Sequence, residues 1–249
     1  MPKSKNVAAQ VWRVFIPGSY EVGDIIECDS ETFHFLHRVL RKKTSDKVEV
    51  LNTQGLVAKA VITKATAREM SLEVIDCKRF PRAELQVTAI QAVISFDAMS
   101  WMVEKLTEMG VDHIHFYDAD RGQHKLEEKK LEKLRRVSLQ ALRQCGNPYL
   151  PEIKIFTSLD AAMEHDLSAH YLYFDETSDR NFSSFFDHSL KGNLSYVIGP
   201  ESSLSKEERT LLEEKNITAY RLIDNVLRAE TACIAACATI RVGFYQKAP

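Results

Sequence analysis

The chain has 249 residues, 45% apolar and 27% charged, with a formal net charge of −2. That is ordinary for a globular protein and long enough to bury a full core as one large domain or two small ones. No apolar run approaches the ~20 residues of a membrane span, and Met1 to Gln10 is basic and polar without the apolar core of a signal peptide, so a cytoplasmic protein is the default expectation.

A net charge near zero announces no nucleic-acid binder, but the charge is unevenly spread. Residues 1–80 carry 13 Lys/Arg against 10 Asp/Glu, and the remainder carries 20 against 25. The positive density peaks at Arg38, Arg41, Lys42, Lys43 and Lys47, with His34 and His37 beside them.

In chain order, residues 11–79 read as short strands. Val48-Glu49-Val50-Leu51 runs into the polar turn Asn52-Thr53-Gln54-Gly55, and residues 56–62 and 70–75 alternate or carry β-branched residues. A short helix is predicted over 31–41, with Phe33, Leu36, Val39 and Leu40 on one side. Phe80-Pro81-Arg82-Ala83 is the linker candidate, because proline disfavours helix before it and cannot donate to a sheet.

After Pro81 strands and helices alternate. A strand over 85–94 precedes a helix that Asp97 can cap, with Met99, Met102, Val103, Leu106 and Met109 at helical spacing and Gly110 as its stop. Residues 111–117 read as a strand and 126–145 as a long amphipathic helix ended by Gly146 and Pro148. Further strands are predicted at 153–156, 171–174, 196–198 and 218–222. Ser205-Lys206-Glu207-Glu208 is a capping box, and the last helix is predicted over 229–241. This alternation predicts an α/β domain with a mostly parallel sheet covered on both faces.

Several chemistries are excluded. There is no Gly-x-Gly-x-x-Gly, no Walker loop and no Gly-x-Ser-x-Gly elbow. The five cysteines make no Cys-x-x-Cys pair and no His cluster completes a zinc set, so no metal is expected. Cys233 and Cys237, one helical turn apart in an Ala-rich run, read as buried thiols. Asp175-Glu176 follows a strand and reads as a solvated loop rather than a carboxylate pair.

Two strand-to-helix loops remain. In Ile198-Gly199-Pro200-Glu201, glycine permits close backbone approach and Pro200 stiffens the turn. Glu201 suits either a ribose or amine contact or the positive end of the following helix. In Leu227-Arg228-Ala229-Glu230-Thr231, Glu230 and Thr231 suit a helix first turn, and Arg228 can hold an anion or a nucleobase. Loops of this kind can form one crevice at the strand ends.

In order and spacing these pieces resemble the bacterial 16S ribosomal RNA (uracil-N3)-methyltransferases of the SPOUT class. The likeness runs through His34, Arg38-Val39-Leu40-Arg41, Val48-Glu49-Val50, Gln91, Lys105, Glu108-Met109-Gly110-Val111 and Arg121. It continues through Gln144-Cys145-Gly146, Pro151-Glu152-Ile153, Ile198-Gly199-Pro200-Glu201, Leu222, Val226-Leu227-Arg228, Glu230 and Thr231. The resemblance implies a PUA-like β-barrel for residues 1–79 that grips RNA, and a trefoil-knotted SPOUT domain for 80–249. It implies a homodimer acting on small-subunit ribosomal RNA, with S-adenosylmethionine as cofactor and no membrane partner. Carried over residue by residue, it makes Arg228 and Glu230 the catalytic candidates. The cofactor would meet Leu172, Ile198, Gly199, Pro200, Glu201, Leu222, Ile223, Val226, Leu227 and Thr231. RNA would meet His34, Arg38, Arg41, Lys42 and Arg121.

The chain departs from this pattern at the cofactor loops. Ser202 and Ser203 stand where the family usually has two glycines, and Ile223, Asp224 and Asn225 stand where it has Gly, a variable residue and Arg. Basic positions are also vacant in Ser95-Phe96-Asp97-Ala98-Met99 and in Asn147-Pro148-Tyr149-Leu150-Pro151. The alternative expectation is a homologue whose cofactor pocket has decayed and which survives as an RNA- or protein-binding dimer. A third is a methyltransferase with another RNA target.

Overall fold

Period-two burial decides the first unit of the chain. The computed structural model describes residues 11–166, 168–185 and 192–244; the basic stretch 1–10 read above lies outside these. The chain divides into two compact units, residues 1–81 and 82–249. In the first, β4 (Leu56–Ala65) buries Leu56, Ala58, Ala60 and Ile62 and leaves Val57, Lys59, Val61 and Thr63 at least partly exposed, as a half-buried strand must. It pairs antiparallel with β3 (Lys47–Leu51) and β5 (Met70–Arg79). The edges are β1 (Arg13–Phe15), parallel to β3, and β2 (Ile25–Glu27), antiparallel to β5.

The sheet is therefore mixed, ordered β1-β3-β4-β5-β2, and strand pairing does not close it into the expected barrel. Closure needs strands long enough to stagger around an axis, and the two edge strands have three residues each.

The helix predicted over 31–41 also differs. A single α-turn, α1 (Ser30–Phe33), capped by Asp29 Oδ1 accepting from the Thr32 N–H at 2.7 Å, passes into a π-helical turn over His34–Val39. Leu36 is fully buried as expected, but Val39 is 57% exposed. The wider i→i+5 turn, visible in Leu40 N–H donating to Phe35 O at 3.0 Å, rotates Val39 off the apolar side.

The second unit is a six-stranded sheet ordered β11-β9-β10-β6-β7-β8. It comprises β6 (Leu85–Ala92), β7 (His113–Tyr117), β8 (Glu152–Phe156), β9 (His170–Phe174), β10 (Gly192–Ile198) and β11 (Thr218–Tyr220), and every pairing is parallel. Helices α2 (Phe96–Glu108), α3 (Glu128–Cys145) and α6 (Ala229–Gly243) share one core with Val87, Ala89, Leu194, Tyr196 and Ile198. Helices α4 (Leu159–His165) and α5 (Lys206–Glu214) share the core on the other face with Ile90, Ala92 and Val197. The expected parallel sheet covered on both faces is what the chain forms.

Local signals held at most ends. Gly146 closes α3 at φ 75°, and Ser205 with Glu208 makes the capping box of α5. Asp97 does not cap α2; Ser95 occupies that position without a side-chain bond, and Asp97 sits in the first turn, where a carboxylate complements the helix dipole. Helix α4 was not predicted, being short, although Ser158 caps it by accepting from the Ala161 N–H at 3.1 Å. Cys233 and Cys237 are fully buried, and burial pushes both thiols up, Cys237 to about 11.

One ion pair fastens the end of α6 to the start of the sheet. Arg241 donates to Leu85 O at 3.0 Å, to Gly110 O, and to Asp112 Oδ2 at 2.8 Å, which also accepts the Val87 N–H at 2.9 Å. The Asp112 side chain is only 9% exposed. Breaking a buried pair costs about 3–5 kcal/mol, because the partner charge is left without compensation. Arg241 is 21% exposed, and Arg82 still pairs with Asp112 Oδ1 at 3.3 Å, so Arg241→Met is expected to cost less than that, about 2 kcal/mol. Urea denaturation measures it; a loss below about 0.5 kcal/mol, the scale of a neutral surface substitution, would contradict this assignment.

Candidate functional site

All six strands run one way, so the loops at their C-terminal ends open on one edge of the sheet. A cavity of about 320 Å³ lies there, between the loops that follow β9, β10 and β11. Its walls come from Phe174–Glu176, from Ile198–Glu201 with Ser203 and Leu204, and from Arg221–Ile223 with Asn225–Ala229 and Ala232; Arg209 of α5 completes it. The volume falls at the lower end of small-molecule sites.

Of the ten cofactor positions named above, eight line the cavity: Ile198, Gly199, Pro200, Glu201, Leu222, Ile223, Val226 and Leu227. Leu172 does not; it is fully buried in the core of the sheet. Thr231 and Glu230 sit in the first turn of α6 outside the lining, whereas Arg228 lines it as the residue preceding that helix. No side chain caps α6, so its first backbone N–H groups and the Arg228 guanidinium favour negative charge at this wall.

Gly199 is needed for a reason other than ligand approach. A Cβ there would stand 3.1 Å from the Leu204 backbone nitrogen and 3.1 Å from Leu204 Cγ. The missing side chain lets the loop fold back on Leu204.

The two serines take up specific strain and specific bonds. Ser203 adopts φ 61°, the left-handed region that glycine tolerates best. Its hydroxyl donates to Glu176 Oε1 at 2.9 Å, and Ser202 Oγ donates to the Arg121 carbonyl at 2.8 Å. The second bond sets the exposed Arg121 beside the loop. A further brace runs from Ser205 Oγ to Asp120 Oδ2 at 2.7 Å.

Asp175 is not in a solvated loop. It is 6% exposed, ion-paired with Arg209, and accepts from the Thr177 N–H at 2.9 Å and the Thr177 hydroxyl at 2.7 Å. Sequence reasoning missed Arg209, whose partner Asp175 is remote in the chain and leaves no local pattern, and Arg221, which pairs with Asp224 three residues on at 3.6 Å. Ile223, which threatened to fill the crevice, is 47% exposed at its rim.

In the first unit, His34, Arg38 and Arg41 are exposed along the π-turn and just after it, with Arg41 at φ 52°. Lys42 is half-buried, its amine 5.4 Å from the centre of the Trp12 ring.

A family model described as the RNA methyltransferase domain matches residues 81–241, which include every lining residue of the cavity. The chain belongs to the RNA methyltransferase domain family. The ribosomal RNA small subunit methyltransferase E of Helicobacter pylori is 25% identical over 224 residues, 88% of this chain and 95% of the relative. That of Bacillus subtilis is 25% identical over 222 residues, 84% and 87%. A crystal structure of the Neisseria gonorrhoeae protein of the same name, bound to S-adenosylmethionine, has a TM-score of 0.85 at 22% identity, covering 94% of this chain and 98% of that one. The last likeness concerns the fold.

The Ser203 geometry predicts a ranking in this RNA methyltransferase domain. Ser203→Gly releases about 1 kcal/mol of left-handed strain while losing a hydrogen bond of similar size, so stability should barely change. Ser203→Ala keeps the strain and loses the bond, and should cost about 1 kcal/mol. Equal denaturation midpoints for the two variants would sink this account.

Proposed function

We propose that this chain is an S-adenosylmethionine-dependent methyltransferase that modifies a uridine N3 in small-subunit ribosomal RNA. The observation that carries the reading is the cavity at the C-terminal ends of β9, β10 and β11, with Arg228 at its wall, in a chain of the RNA methyltransferase domain family. The target class comes from the full-length relatives named for ribosomal RNA of the small subunit.

The residues present fit the cofactor. Phe174, Ile198, Leu204 and Leu222 offer an apolar wall for a purine ring. Glu176 and Glu201 offer acceptors for ribose hydroxyls or an amine. The open N-terminus of α6 suits a carboxylate. When bound, the cofactor supplies an electrophilic methyl group on a sulfonium. The chain's own task is to hold the uracil edge in line and favour its N3 anion, because N3–H is a weak acid. The Arg228 guanidinium can donate to a uracil carbonyl oxygen where that negative charge gathers. The N3 proton would pass to solvent or to a carboxylate such as Glu201.

Residues 1–79 are proposed to grip RNA through His34, Arg38, Arg41 and Lys42, and residues 80–249 to carry the methyl transfer. Arg121, whose carbonyl is braced by Ser202, adds a cation beside the cavity of the second unit. Glu230 and Thr231 are proposed as helix-start residues that orient α6. A trefoil threading is part of this reading. Supporting it, residues 220–221 bond to both sides of one loop: Asp175 N–H donates to Tyr220 O at 3.0 Å, Phe182 N–H to Arg221 O at 2.9 Å, and Arg221 N–H to Arg180 O at 2.7 Å. Homodimer formation fits the exposed Trp101 and Val242 on the neighbouring helices α2 and α6. With ribosomal RNA as substrate, the compartment is the cytoplasm.

Calorimetric titration of S-adenosylmethionine into the purified protein tests the cofactor; absence of heat at millimolar ligand would remove the enzyme reading and leave the decayed-pocket one. With small ribosomal subunits as substrate, Arg228→Ala is expected to lower kcat about 100-fold. Nucleoside mass spectrometry should find methyl at N3 of uridine. Arg38→Ala and Arg41→Ala should each lower the salt dependence of RNA binding by about 0.7 in log–log slope. An unchanged slope would detach the first unit from RNA.

A further inference from the structure

At the edge of the sheet opposite the cavity, β7 and β8 begin side by side. His113 and His115 are two residues apart on β7 and so project from the same face. The strand register sets Glu152, the first residue of β8, beside His113. His113 Nδ1 lies 3.5 Å from Glu152 Oε2. One ligand atom from each of His113, His115 and Glu152 lies within 4.8 Å of the other two.

His115 makes this more than proximity. It is 2% exposed, and neither ring nitrogen has a hydrogen-bond partner among the described residues. His113 Nδ1 is also without one. An unsatisfied buried polar group costs about 1–3 kcal/mol and asks for a missing partner, water or ion. The His115 neighbours are ring edges: Phe156 at 5.1 Å and His165 at 5.6 Å between centroids. Burial pushes the imidazole down to about 4.

We propose that His113, His115 and Glu152 form a divalent transition-metal site, suited best to zinc, with one position open to water. Two imidazoles and a carboxylate are a zinc donor set. At Zn–ligand distances of about 2.0–2.2 Å the donors must draw together by about 1 Å. His113 and Glu152, with side chains 30% and 48% exposed, have the freedom to do so. Lys154 bonds Glu152 Oε1 at 2.8 Å and stands 3.0 Å from His165 Nε2. It occupies the outer oxygen and leaves Oε2 toward His113. Its positive charge opposes a cation, and the nearby Asp166 carboxylate, which acts on His115 in the opposite sense, offsets it. A metal here would clamp β8, the five-residue edge strand, to β7. The site is independent of the methyl-transfer reading.

The test uses the full chain, stripped with a chelator and titrated with zinc chloride by calorimetry in metal-free buffer. One equivalent should bind and raise the melting temperature reversibly. His113→Gln and Glu152→Gln alter partly exposed side chains, so they should fold as shown by circular dichroism. Each should weaken zinc binding at least about tenfold, the loss that even an outer-shell partner causes, and abolish the thermal shift. Absence of a stoichiometric site, or binding that both variants retain, overturns the proposal.

Discussion

The second unit depends on one constraint, that all six strands point the same way. A parallel strand cannot be followed by a tight hairpin; each connection must cross back over a face of the sheet, here by a helix or long loop. Both faces are then covered, which is why β6, β7 and β10 are buried almost throughout. Parallelism also separates the two edges chemically. Every loop leaving a strand opens on one side and every strand begins on the other. The order β11-β9-β10-β6-β7-β8 places the exits of β9, β10 and β11 together at one end of the sheet, and the starts of β7 and β8 together at the other.

At the exit edge the loops are braced against each other rather than by regular pairing. Gly199 closes on Leu204, Ser203 reaches Glu176, Ser202 reaches the Arg121 carbonyl, and Asp175 is held by Arg209. The first folds one loop back on itself, and the other three join different loops or elements. The strain of a left-handed serine is modest beside such a network, about 1 kcal/mol, and the hydroxyl that glycine would lack returns a bond of similar size. The same network holds an acidic wall, Glu176 and Glu201, across a cavity that also carries Arg228 and the open start of α6. A ligand with a cationic centre and a carboxylate meets complementary groups in one small volume.

Much of this was legible in the chain, for reasons that are local. The alternation of Leu56 to Ile62, the capping box of Ser205 and Glu208, Gly146 after α3, and the run of Met99, Met102, Val103 and Leu106 each report the backbone they sit on. Eight of the ten cofactor positions line the cavity because loop residues directly after a strand are forced to the sheet edge. Leu172 falls outside the lining because it lies inside a strand, where its side chain enters the core. Val39 was misplaced because a π-turn changes the period on which its burial was judged. Asp175 looked solvated because its partner, Arg209, is remote in sequence.

The sequence by itself determined the α/β alternation, the division near Pro81, the two strand-to-helix loops that line the cavity and the basic segment around Arg38 and Arg41. Short-range sterics, hydrophobic period and turn chemistry are written in adjacent residues. Only the tertiary structure decided which loops meet, that Ser203 takes a glycine's conformation, and that Asp175 is buried against Arg209. It alone brought Glu152 to His113 and His115, which no spacing rule for metal ligands would pair. Those facts depend on strand order and register, which bring residues tens of positions apart within a few ångströms and cost loop entropy that no local motif records.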